Sequence, residues 1–153
     1  MSPLWKLCEA GRLDDVRAAL ARGEDVNSKD EDDQTGLMFA VENKHNSQLV
    51  RLLLEQPTAD LNYPDIAGST ALHYAAELDN AEGVRLLLAD PRLKTTNHKS
   101  KDGNTPVMAA IIEGNVNALR ELVAHPSVDL DTRDEEGKSL EEVARWEFPS
   151  IIF

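Results

Sequence analysis

The sequence predicts an all-α repeat solenoid, on three observations. Hydroxyl residues recur at Ser2, Thr35, Thr70, Thr105 and Ser139, with spacings of 33, 35, 35 and 34 residues. A greasy segment recurs behind them, as "VRAAL" from Val16, "VRLLL" from Val50 and Val84, and "LRELV" from Leu119. A tag then closes each unit: "DVN" from Asp25, "DLN" from Asp60, "TTN" from Thr95, "DLD" from Asp129. A period of this size marks stacked supersecondary units, about four and a half of them here. The expected units are 1–29, 30–64, 65–99, 100–133 and 134–153 in one domain, the first and last acting as caps.

Each unit reads as two short helices and a turn. The first helices begin in "SPLWKLC" from Ser2, "QTGLMFAV" from Gln34, "GSTALHYAA" from Gly68, "GNTPVMAAI" from Gly103 and "GKSLEEVA" from Gly137. The hydroxyl in each suits an N-cap, since it can accept from an otherwise unpaired backbone N–H. Leu72, Ala75 and Ala76 fall at i, i+3 and i+4, one helical face. The alanines are small enough for a neighbouring helix to approach closely. The second helices are greasier, and Arg17, Arg51, Arg85 and Arg120 share one slot within them. Gly23, Pro57, Pro91 and Pro126 stop them; glycine ends a helix in the left-handed region and proline cannot continue one. A lone unit cannot bury its apolar face, whereas a stack buries a continuous core, with each buried Leu contributing about 1.5–3 kcal/mol.

Composition narrows the partners. The 153 residues carry a net charge of −12, with 41% apolar and 29% charged residues. So acidic a surface repels phosphate backbones and anionic lipid, so neither nucleic acid nor membrane is an expected partner. Cys8 is the single cysteine, which leaves no disulfide framework. No apolar run follows a basic start, and no stretch approaches the ~20 apolar residues of a membrane span. A cytoplasmic or nuclear location is expected.

The repeats resemble the ankyrin repeat family. The match is closest over "DIAGSTALHYAAELDNAEGVRLLL", Asp65 to Leu88, which lies almost position for position on D-x-x-G-x-T-P-L-H-x-A-A…V-x-x-L-L. It extends from Ser2 to about Arg145. The resemblance implies helix-turn-helix units with projecting β-hairpin or turn fingers, in a curved stack whose fingers and first helices line a concave face. It implies protein–protein binding without catalysis. The second unit departs from the pattern with Gly36 for proline and Met38 for histidine. The tail "RWEFPSIIF" is strongly apolar. Trp146, Phe148, Ile151, Ile152 and Phe153 are expected to fold over the open end; the alternatives are that the chain continues or that this end pairs with another copy. A monomer is expected.

Catalytic, metal and cofactor readings find little support. His45, His73, His98 and His125 lie in different units without ligand spacing. By the resemblance, His73 joins a hydrogen-bond network across the repeat. Cys8 shares the core slot of Ala76 and reads as a packed thiol. Asp14–Asp15 and Glu141–Glu142 occupy helix first turns, where negative charge suits the dipole. No phosphate-binding glycine loop occurs, so no cofactor is expected.

A partner site is sought opposite the core. On a helical wheel Tyr74 points roughly 150° from the Leu72–Ala75–Ala76 face. Its slot holds Lys6, Phe39, Tyr74, Ala109 and Val143. Phe39 and Tyr74 are thus expected side by side as exposed anchors, with Leu78 one turn on. Glu9, Glu42, Glu77 and Glu113 lie on the same helices, and the second finger, "KDEDDQ", is acidic. A later finger is basic, with Lys94, His98, Lys99 and Lys101. The candidate binding set is Glu31, Asp32, Gln34, Phe39, Glu42, Ile66, Ser69, Tyr74, Glu77, Leu78, Lys101, Asn104, Ile112 and Glu113. The expected partner is a protein or peptide with a basic portion and an apolar anchor.

The expected function is therefore a non-catalytic adaptor or scaffold module. An alternative is an enzyme regulator: "LWKLCEAGRLDDVRAAL" is similar to the N-terminal unit of the small ankyrin-type cyclin-dependent kinase inhibitors. Their short first helix in the second repeat is not evident at "TGLMFAVENK". Asn27 and Asn62 also occupy finger slots that the family offers to asparaginyl hydroxylase.

Overall fold

In the computed structural model, which describes residues 2–147, the repeat period becomes a repeated helix pair. The helices are α1 (Leu4–Glu9), α2 (Leu13–Ala21), α3 (Gly36–Glu42), α4 (Ser47–Leu54), α5 (Ala71–Glu77), α6 (Ala81–Ala89), α7 (Pro106–Glu113), α8 (Val116–Ala124) and α9 (Leu140–Glu147). Helix α3 is as long as α5, so the second unit's first helix is not shortened.

The hydroxyl slots open helices, with one exception. Thr35 and Thr105 each accept through Oγ1 from the backbone N–H three residues on, both at 3.4 Å. Ser139 and Glu142 form a reciprocal box: Ser139 Oγ accepts from Glu142 N at 3.3 Å, and the Glu142 carboxylate accepts from Ser139 N at 2.7 Å. The exception is Ser2. Pro3 stands at the N-cap of α1 without a side-chain cap bond. Proline's fixed φ already suits a helix start, which leaves the serine no role there.

The odd-numbered helices pack in one layer and the even-numbered in a second. Ala40, Ala75, Ala110 and Ala144 are all fully buried where odd helices meet. Cys8 is buried in the same layer, and burial pushes its thiol up to about 12, so it stays a thiol. Leu49, Val50, Leu53, Val84, Leu87 and Leu122 carry the core into the even layer. Among the described residues the fingers are turns, with isolated bridges at Lys29–Thr35 and Arg133–Ser139.

Side chains tie unit to unit in three ladders. Asn27 donates to the Thr58 carbonyl and accepts from Asp60 N, both at 2.8 Å. Asn62 bridges likewise to Arg92 O and Lys94 N, and Asn97 to Ser127 O and Asp129 N. Before the second helices, Asn46, Asn80 and Asn115 reach back to carbonyls at the end of the preceding unit's first helix or just after it: Gly11, Val41 and Ala76. On the outer side of the even helices, Glu82 pairs with both Arg51 and Arg85, and Arg85 with Glu121.

The expectation for the apolar tail falls mainly on Phe148, Ile151, Ile152 and Phe153, which lie outside the described residues. Trp146 is described and corrects its part of that expectation. It is 79% exposed instead of folded over the end, with Lys138 Nζ 5.7 Å from its ring centre.

Candidate protein-binding face

The face formed by the odd helices and the fingers is built on carboxylate-closed turns. Asp30 Oδ1 accepts from Asp32 N and Gln34 N. Asp65 Oδ1 does the same for Ala67 N and Ser69 N, and Asp134 Oδ1 for Glu136 N and Lys138 N. Two backbone bonds then register neighbouring fingers, Ile66 N to Asp32 O at 3.0 Å and Lys101 N to Ala67 O at 2.9 Å. They present Glu31, Asp32 and Lys101 to solvent, with Ile66 51% exposed at a tip. A Cβ at Gly68, whose φ is +75°, would stand 3.0 Å from Lys101 N, so only glycine fits that approach.

Tyr74 is braced. Its hydroxyl donates to the Asp65 carboxylate and accepts from Gln34 Nε2 at 2.7 Å. Burial, then the Asp65 hydrogen bond, push its phenol well above the ordinary range. One residue earlier, His73 Nε2 meets the Asn104 carbonyl at 2.8 Å and must carry the proton. Nδ1 then accepts from Thr70 N at 3.1 Å and from its hydroxyl at 3.0 Å. Burial lowers the His73 pKa, which keeps the ring neutral.

Two candidate residues need correction. Phe39 is 8% exposed, and its ring stacks on Trp5 with centroids 5.8 Å apart. A wheel drawn for one helix shows only that helix's own core, whereas α1 covers this flank of α3 from the neighbouring unit. Phe39 is therefore packing, and its aromatic partner is Trp5 rather than Tyr74. Ser69 is buried in the finger stem, where its backbone closes the turn with Asp65.

The remaining candidates do reach the surface. Glu42, Glu113 and Lys101 are exposed, Leu78 is 41% exposed, and Gln34, Tyr74, Glu77, Asn104 and Ile112 are half-buried. Glu9, Glu42, Glu77 and Glu113 are the last residues of α1, α3, α5 and α7. None has an ion-pair partner among the described residues. Burial and then Glu9 raise the Glu42 pKa. Burial, then Glu113, Asp65 and Asp102, raise that of Glu77. Asp65 and Asp102 were missed from the sequence because each looks like an ordinary turn former; only the fold brings them to Glu77.

Asn27 and Asn62 sit at finger bases with their amides engaged between units, as Asn97 does. On the opposite side a cavity of about 310 Å³ between α6 and α8 is lined by Arg85, Leu88, Ala89, Glu121, Ala124 and His125. Its Arg85 and Glu121 already neutralise each other. Among the described residues no cluster of three His, Cys, Asp or Glu could hold a metal ion, and no helix is long and apolar enough to cross a membrane.

Comparison with known proteins agrees with this architecture. A family model described as ankyrin repeats in three copies matches residues 4–97, and a single ankyrin repeat model matches residues 102–135. Regulatory protein NPR6 of Arabidopsis thaliana is 40% identical over 92 residues, 58% of this chain and 18% of that protein. Human Inversin is 29% identical over 119 residues, 75% of this chain and 11% of that protein. The putative ankyrin repeat protein FPV031 of fowlpox virus is 34% identical over 128 residues, 81% of this chain and 36% of that protein. The chain thus spans only a fraction of these relatives' lengths. The repeated helix pairs, the T-x-L-H network and the two family matches place the chain in the ankyrin repeat family, as a protein–protein interaction module.

Proposed function

We propose that this module is a non-catalytic adaptor that binds a partner segment of basic and apolar character on its odd-helix and finger face. The observation that carries the reading is the row of glutamates at Glu9, Glu42, Glu77 and Glu113. The protein neutralises charge on its other side through Arg51, Glu82, Arg85 and Glu121. Here it leaves acid next to acid, and burial first, then the neighbouring carboxylates, raise Glu42 and Glu77. A cationic partner relieves that repulsion, and Leu78, Ile112 and Ile66 supply apolar contact beside it. The same reading carries a monomeric protein without a cofactor, working in the cytoplasm or nucleus.

The test is binding of lysine- and leucine-containing peptides to the wild type, to Glu42→Lys with Glu77→Lys, and to Glu31→Lys with Asp32→Lys. Glu55→Lys on the other side is the control. Affinity is expected to fall in both double variants, to hold in the control, and to weaken with added salt. Unchanged affinity in both double variants removes the reading.

A further inference from the structure

We draw no further inference here: the strongest candidate, the apolar patch at the C-terminal end of the stack beyond α8, where Leu130 is 48% exposed in the finger-base slot that is buried at Val26 and Leu61, carries nothing because nothing in the structure shows what covers it.

Discussion

Replacing Asn80 by Ala removes two jobs at once. Asn80 is buried; its Oδ1 accepts from Gly83 N at 2.9 Å and its Nδ2 donates to the Val41 carbonyl at 2.8 Å. Losing the cap costs about 1 kcal/mol. Leaving the buried Val41 carbonyl without its donor costs about 1–3 kcal/mol more. The expected loss is about 3 kcal/mol, since neither orphaned group reaches water. With a urea slope of about 2 kcal/mol per molar, the midpoint should fall by about 1.5 M. Asn80→Ser separates the two parts, because a serine oxygen still caps Gly83 N but is too short to reach Val41. It should recover about 1 kcal/mol. A loss below about 0.5 kcal/mol for Asn80→Ala, within the range of an ordinary surface change, would refute the claim that this asparagine couples the second and third units.

Three further outcomes follow from the geometry. Phe39→Ala should cost about 3–5 kcal/mol in urea unfolding and alter Trp5 fluorescence; a stable variant with weakened peptide binding would restore Phe39 as a surface anchor. Glu77→Gln should stabilise the fold at neutral pH while weakening binding of cationic peptide. The folded pKa of Glu77 is raised, so the folded state holds its proton more tightly. The gain should disappear as pH falls below the ordinary carboxylate range, about 4.5, and a loss of stability at neutral pH would contradict the repulsion. His73 has the opposite proton balance: its folded pKa is lowered, so the unfolded chain binds the proton more readily. Its contribution should therefore decline as pH drops below about 6.5. His73→Gln should show a flatter stability profile between about pH 7.5 and pH 5, and identical profiles would sink the account.

What the sequence revealed was what repeats locally. The hydroxyl slots, the Leu72–Ala75–Ala76 face and the helix stoppers each act within one unit, so spacing alone located them. Contacts between units were hidden. Phe39 looked outward because Trp5, which covers it, lies in the preceding repeat. The asparagines at 46, 80 and 115 each reach a backbone carbonyl of the preceding unit, a contact that spacing within one unit does not show. The recurring arginine slot was visible, but its pairing through Glu82 and Glu121 depends on how the even helices pack. The glutamate row was visible too, whereas its lack of ion-pair partners among the described residues and the approach of Asp65 and Asp102 to Glu77 emerge only from the folded arrangement.

The claim that the odd-helix and finger face takes a basic partner is tested most directly by NMR titration of isotope-labelled protein with a lysine- and leucine-containing peptide. Amide shifts are predicted to concentrate at Glu42, Glu77, Leu78, Lys101 and Glu113. Shifts confined to the other side, around Arg51, Glu82 and Arg85, or no shifts at saturating peptide, would contradict it.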